Sequence, residues 1–239
     1  MKKIILAFLL GVLLIACGKD GKELVYKVGT NAEFPPYEYI EDGKIKGFDA
    51  DIMDEIAKRG EFKYEWVNMN FDGLISALQS KKVDMVIAGM TLNEERQKYV
   101  NFSVPYIKPA VSLIALKSNS TTSIEEFNNK KFGVELGTTE ADIIKNEFPD
   151  AIIVPFSSNT ASVLALKSQK IDAILFDSKV AESYVKNNPD IKIVGEAAGE
   201  EKAMAFNLKN TEIHNKVNTI LQEMLNDGTI DKLKEKYGI

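Results

Sequence analysis

The feature that most constrains this chain is an internal repeat. Ala77-Leu78-Gln79-Ser80-Lys81-Lys82-Val83-Asp84-Met85-Val86-Ile87 aligns without gaps to Ala165-Leu166-Lys167-Ser168-Gln169-Lys170-Ile171-Asp172-Ala173-Ile174-Leu175. Each copy reads as the end of a helix, a tight polar turn and a short buried strand. The surroundings repeat as well. Leu24-Val25-Tyr26-Lys27-Val28 is a strand by β-propensity and runs into Gly29-Thr30; Phe132-Gly133-Val134-Glu135-Leu136 is another and runs into Gly137-Thr138. Helical spacing covers Asp49 to Lys58 in the first half and Glu140 to Phe148 in the second, and extended segments follow at Tyr64–Val67 and Ile152–Val154. Each half is therefore strand–helix–strand–helix–strand, which requires a parallel sheet with helices on its faces. The expected class is α/β in two lobes, each a mainly parallel sheet flanked by helices.

In open α/β sheets, ligands sit beyond the carboxyl ends of the strands. The repeat sets Gly29-Thr30-Asn31 opposite Gly137-Thr138-Thr139, and Ala88-Gly89 opposite Phe176-Asp177. A cleft between two lobes collects all four strand ends; one continuous sheet with a coincidental repeat is the alternative. The chain crosses between halves near Ser103-Val104-Pro105-Tyr106, ahead of the apolar strand Ala110–Leu116, and returns near Lys202-Ala203-Met204-Ala205-Phe206. Two crossings make a hinge. Residues 24–108 with 205–239 then form one lobe and residues 109–204 the other. The tail is amphipathic helix over Glu212–Leu225, with Ile213, Val217, Ile220, Leu221 and Met224 on one face, and again over Ile230–Tyr237. It is expected to pack back on the first lobe.

The N-terminus reads as a targeting signal. Met1-Lys2-Lys3 precedes an apolar run of 13 residues, Ile4 to Ala16, shorter than the roughly 20 needed to span a bilayer. The run ends Leu14-Ile15-Ala16-Cys17-Gly18, and Cys17 is the chain's single cysteine. This resembles a bacterial lipobox, which implies cleavage before Cys17 and lipidation of its thiol; an ordinary signal peptide with a chance cysteine is the alternative. Residues 1–16 are then a signal peptide and residues 17–23 a lipid-anchored tether. Losing Lys2 and Lys3 takes the formal charge from −5 to −7. The protein is expected outside the cytoplasmic membrane, held to it by lipid.

Composition excludes several functions. Acidic and basic residues are interspersed without a long basic block, so a nucleic-acid partner is not expected. One Cys and one His, His214, leave no cysteine cluster for a metal, and any nucleophile–histidine catalysis would run through His214. No Gly-x-x-x-x-Gly-Lys phosphate loop occurs. No cofactor or metal is implied.

An ordered series of motifs carries a family resemblance. It comprises Thr30-Asn31-Ala32-Glu33-Phe34-Pro35-Pro36-Tyr37-Glu38, Gly47-Phe48-Asp49-Ala50-Asp51-Ile52, Phe71-Asp72-Gly73-Leu74-Ile75-Ser76-Ala77-Leu78, and Ala88-Gly89-Met90-Thr91 through Glu95-Arg96. Gly137-Thr138-Thr139, Asp172-Ala173 to Asp177, and Asn226-Asp227-Gly228-Thr229 complete it. In order and spacing these resemble the polar amino-acid-binding proteins of ABC importers, solute-binding family 3, over almost the whole mature chain. The resemblance implies a type II periplasmic-binding-protein fold and a free amino acid as ligand. It also implies a membrane permease with a cytoplasmic ATPase as partner, a monomeric state, and no catalysis.

A buried amino acid needs both its charges paired. Arg96 suits the carboxylate, because its planar fork gives two parallel charge-assisted bonds. Thr91 begins a Thr-x-x-Glu capping pattern with Glu94 and would add N–H and hydroxyl donors, and Thr139 opens the helix after Gly137-Thr138. The resemblance assigns all three to the carboxylate. Asp177 is expected to take the ammonium with the Gly89 carbonyl beside Ala88, or to cap the helix starting near Ser178. Asp84 and Asp172 read as turn residues far from the cleft.

Phe34 and Phe71 are implied as walls around the ligand side chain, with Tyr37 as support. Glu135 falls where some family members place a side chain that touches the ligand's distal end; a carboxylate there favours arginine or lysine, with cation–π attraction from Phe34 and Phe71. Asn31, Glu33 and Met69 are placed at the same end. A neutral glutamine-like ligand, a ligand-sensing lipoprotein and a cyclohexadienyl-dehydratase-like enzyme are the competing readings.

Overall fold

A computed structural model describes residues 25–121 and 123–239. The signal peptide, Cys17 and the tether lie outside them. In chain order the elements are β1 (Val25–Thr30), β2 (Glu33–Phe34), β3 (Glu38–Glu41), β4 (Lys44–Lys46), α1 (Phe48–Arg59), β5 (Lys63–Asn68), α2 (Leu74–Gln79), β6 (Met85–Val86), α3 (Glu94–Gln97) and β7 (Val100–Phe102). There follow β8 (Val111–Leu116), β9 (Lys131–Glu135), α4 (Glu140–Glu147), β10 (Ile152–Phe156), α5 (Asn159–Lys167), β11 (Ala173–Asp177), α6 (Ser178–Asn187), β12 (Ile191–Ala197), β13 (Ala205–Asn207), α7 (Thr211–Asn226) and α8 (Thr229–Tyr237).

The repeat builds two sheets of one plan, ordered β5-β1-β6-β13-β7 and β10-β9-β11-β8-β12. In each, three parallel strands meet an antiparallel pair, so four of the five strands run the same way. The aligned turns match in detail. Lys81 and Gln169 both take φ of 58°, a left-handed turn that reverses the chain after α2 and α5. One step on, Asp84 and Asp172 each clamp the central strand. The Lys27 N–H donates to Asp84 Oδ2 at 2.8 Å and the Lys131 N–H to Asp172 Oδ2 at 2.9 Å, while each aspartate's own N–H donates back to the same lysine's carbonyl at 2.8 Å. These carboxylates set strand register at the end of each sheet away from the cleft.

Apolar side chains fill both faces of both sheets. Leu74, Leu78, Val83 and Val86 join under α2, and Phe127, Phe132, Ile144 and Phe148 under α4. On the other face of the first sheet, α7 buries Ile213, Val217, Ile220, Leu221 and Met224, the expected stripe. The tail helices tie to α1 through Arg59–Asp227 at 2.7 Å and Tyr237–Asp51 at 2.8 Å.

A third sheet, β2-β3-β4, was not expected. Its tip is Asp42-Gly43, both at positive φ, as a tight hairpin turn requires. Gly47 then starts α1 at φ 128°, where a Cβ would stand 2.1 Å from the Tyr37 carbonyl oxygen. The carbonyls of Pro36 and Tyr37 accept the first N–H groups of α1, from Phe48 and Asp49. That fixes Asp49 at the base of the cleft.

The two crossings pair with each other. Lys202 bridges Ile107 and Thr91 in antiparallel fashion, and Tyr106 N–H donates to the Lys202 carbonyl at 3.0 Å. Replacing Asp84 or Asp172 by Ala strips the acceptor from a strand N–H. Each change is expected to cost about 1–2 kcal/mol and lower Tm by about 2–8 °C, with the double variant close to the sum. Calorimetry of the three variants checks this.

Candidate ligand-binding site

The strand ends of both sheets meet in one cavity. It is lined by Asn31, Phe34, Phe71, Ala88, Gly89, Thr91 and Arg96 from one side and by Glu135, Thr139 and Phe176 from the other. Nine of the ten expected ligand-binding residues are there. Asp177, the tenth, is fully buried behind Lys202, which lines the cavity in its place.

Arg96 is 6% exposed. Its Nη1 donates to the Thr91 carbonyl at 2.7 Å and its Nη2 to the Gly137 carbonyl at 2.8 Å, so the guanidinium bridges the two sides. Its Cζ lies 5.3 Å from the Phe71 ring centroid. Among the described residues no carboxylate forms an ion pair with it, and burial lowers its pKa against the attraction of Glu140, Glu200 and Asp142. A guanidinium this buried and unpaired by a carboxylate is a strong anion acceptor.

The expected Thr91 cap does not form. Asn93 caps α3 instead, its Oδ1 accepting the Arg96 N–H at 2.8 Å, because Asn93 is the residue that stands three before that amide. Thr91 pairs with Lys202 as a β-bridge, and its hydroxyl meets the Thr139 hydroxyl at 3.1 Å. α3 is one turn long and adds no helix-end field of consequence. Asp177 holds the cap position of α6 but makes no capping bond. Its Oδ1 lies 3.2 Å from Lys202 Nζ, outside hydrogen-bond angles, and neither oxygen accepts a hydrogen bond.

Glu135 ends β9 and is 7% exposed. Burial first, then Glu33, Glu140 and Asp72, push its carboxyl up to about 8. Asn31 Nδ2 reaches it at 3.4 Å and the Met69 carbonyl at 3.1 Å. Glu33 is displaced from the expected place. Its Oε2 accepts from the Thr160 hydroxyl at 2.8 Å, and its carbonyl from the Tyr184 hydroxyl at 3.0 Å, clasping the rim. Tyr37 supports Phe34, the rings stacked at 5.5 Å. His214 bonds the Phe102 carbonyl at 2.9 Å and does not line the cavity.

Sequence reasoning missed five polar lining residues: Glu38, Thr138, Glu140, Asn159 and Lys202. Glu38 stood within a quoted motif and Lys202 within the return crossing, without a chemical role. Among the described residues no group of three or more His, Cys, Asp or Glu is arranged to hold a metal ion. No described helix is long and apolar enough to cross a membrane.

The sequence pattern described as bacterial extracellular solute-binding proteins, family 3, matches residues 26–239. The chain belongs to this family. A relative named as a probable histidine-binding protein of Campylobacter jejuni is 35% identical, over 99% of each chain. The arginine-binding extracellular protein ArtP of Bacillus subtilis is 35% identical over 94% of this chain and 92% of its own. An ancestral arginine-binding protein, solved with arginine and with glutamine, superposes with TM-scores of 0.83 and 0.84 at 42% and 43% identity, over 89% of this chain and 97% of that one. These whole-chain likenesses establish the two-lobe periplasmic-binding-protein fold for this family 3 member.

At Gly137 the two sides of the cleft come into close contact. With φ at 83° the position needs glycine, and a Cβ there would lie 2.9 Å from the Asp72 backbone across the cleft. Gly137→Ala is expected to leave the chain folded but hold the cleft ajar. Small-angle scattering with and without ligand reads that as a smaller contraction, and the dissociation constant as a rise of about tenfold or more.

Proposed function

We propose that the chain is the substrate-binding component of an ABC amino-acid importer. A free α-amino acid enters between the lobes, taken as residues 24–108 with 205–239 and residues 109–204. The lobes close on it, and the closed surface delivers it to a membrane permease driven by a cytoplasmic ATPase. The observation that carries this reading is Arg96, a buried guanidinium that donates, among the described residues, to backbone carbonyls alone. An α-carboxylate answers its fork, with the Thr91 and Thr139 hydroxyls beside it. Asp177 and the Gly89 carbonyl take the ammonium, and Phe34 and Phe71 hold the side chain. Closure is driven by affinity gained only in the closed form. The chain works as a monomer, lipid-anchored through Cys17 outside the cytoplasmic membrane, and as a receptor rather than a catalyst.

The preferred ligand is arginine or a like cation, placed with its tip at Glu135. The relatives that bear arginine in their names, and the solved ancestral protein, support this. A neutral amide is the second reading. Glu135, pushed up to about 8, is protonated at pH 7 and can donate a hydrogen bond to glutamine. The ancestral arginine-binding protein has been solved with glutamine too.

Ligand-induced thermal shifts of residues 18–239 against the twenty amino acids test the reading. A ligand at about 100 times its dissociation constant stabilises by roughly 2.7 kcal/mol. A rise with arginine or lysine supports the cationic reading, a rise with glutamine alone supports the neutral one, and no rise with any overturns both. Arg96→Ala is expected to abolish every such shift.

Proton linkage separates the two ligands. A guanidinium beside Glu135 favours its ionised form, so arginine binding at pH 7 releases a proton and tightens as pH rises towards 8. Glutamine binding releases none from this group. Titration calorimetry in buffers of different ionisation enthalpy measures the difference. Glu135→Gln is expected to weaken arginine about tenfold or more while changing glutamine by less than about threefold.

A further inference from the structure

The reading above uses Asp177 for the ligand's ammonium, yet a protein ammonium already stands there. Lys202 is 4% exposed on the return crossing. Its Nζ donates to the Thr91 hydroxyl at 3.1 Å and lies 3.2 Å from Asp177 Oδ1. Thr91 belongs to one side of the cleft and Asp177 to the other, so one charge from the hinge touches both. Its backbone is pinned, donating to Ile107 at 2.8 Å and accepting from Tyr106 at 3.0 Å.

Three fully buried carboxyls feel this ammonium: Asp177 at 3.2 Å, and Glu38 and Asp49 through its field. Asp177 ends β11, while Glu38 of β3 and Asp49 of α1 come from the opposite lobe. Asp49 Oδ2 accepts from the Gly89 N–H and the Tyr106 hydroxyl, both at 2.9 Å, but its Oδ1 and both oxygens of Glu38 and Asp177 accept no hydrogen bond. Glu140 of α4 and the Tyr37 hydroxyl are the other titratable groups facing Asp177. A second ammonium placed beside Lys202 is tolerated only where each cation has an ionised carboxylate to answer it; with Glu38 protonated, Asp49 and Asp177 are the two that face Lys202 and the incoming ammonium.

We infer that Lys202 is a positioning residue for ammonium recognition: held between Thr91 and Asp177, it keeps the Asp177 carboxylate charged while leaving the buried Oδ2 without a hydrogen-bond partner, so that on closure the cleft accepts a ligand ammonium without giving up a proton. The inference rests on the amino-acid reading above. Its electrostatics agree with the geometry. Burial pushes Asp177 up to about 6, and Lys202 is the strongest influence holding it down; Glu38, buried against Asp49, stays protonated well above the usual carboxylate range. At pH 7 the wild-type Asp177 is therefore ionised before any ligand arrives. Without Lys202 the balance moves towards the protonated form, from which the incoming ammonium would have to displace the proton.

The test is the pH dependence of binding. Dissociation constants for L-arginine and L-glutamine are measured by calorimetry at pH 6.5 and 7.5 for wild type, Lys202→Met and Lys202→Arg. The variant is compared with wild type for the same ligand, so the contribution of Glu135 cancels. Lys202→Met is expected to tighten with pH by up to about tenfold more than wild type over that unit, and Lys202→Arg to follow wild type. A folded Lys202→Met whose pH dependence matches wild type within twofold overturns the inference while leaving the amino-acid reading intact. Wild type that binds neither of these ligands nor any other of the twenty amino acids overturns both. Should Lys202→Met not fold, Lys202→Gln, which retains a donor for Thr91 but no charge, carries the same comparison.

Discussion

A buried guanidinium at the meeting of two sheets, with no carboxylate paired to it among the described residues, is the constraint around which the rest is arranged. Arg96 is carried on a helix of one turn, capped by Asn93, and it donates across the gap to Gly137. Most of a buried cation's interaction energy goes to undoing its desolvation, so backbone carbonyls alone leave it short of an anion. That shortage gives the cavity its direction. In the proposed reading, Arg96 and the hydroxyls of Thr91 and Thr139 define the carboxylate end, the acidic cluster around Lys202 the ammonium end, and Glu135 with Asn31 the variable end.

The scaffold holds these groups by means that are independent of them. Asp84 and Asp172 fix strand register at the far ends of the two sheets, each through a reciprocal pair of bonds with a lysine backbone. With register fixed there, the near ends deliver Ala88-Gly89 and Phe176-Asp177 to corresponding places. Gly47 allows the small β2-β3-β4 sheet to abut α1, which brings Asp49 under the Gly89 N–H and Glu38 beside it.

The sheets and most lining residues were legible in the sequence because a repeat is a statement about topology as well as composition. Aligning Asp84 with Asp172 forces the strands after them into equivalent positions, and strand ends in such sheets are where ligands sit. The β2-β3-β4 sheet left a signal in Asp42-Gly43, a dipeptide suited to a two-residue hairpin turn, flanked by short strands without a clear alternating stripe. Thr91 was misjudged for a local reason: Thr-x-x-Glu and Asn-x-x-Arg overlap, and only the backbone decides which side chain reaches an amide. Lys202 could not be found from sequence. A lysine on a crossing reads as solvated surface, and only the convergence of both lobes on that strand buries it.

The paired crossings have a consequence for how such a molecule can be rearranged. The chain leaves the first sheet beside Ile107 and rejoins it beside Lys202, and these two residues are bridge partners. Everything between them is an insertion whose entrance and exit stand side by side. Its interior can lengthen, shorten or be exchanged for a homologous segment without altering the separation of those two ends. One half of the recognition surface can thus be replaced as a cassette while the half that carries Arg96 stays as it is.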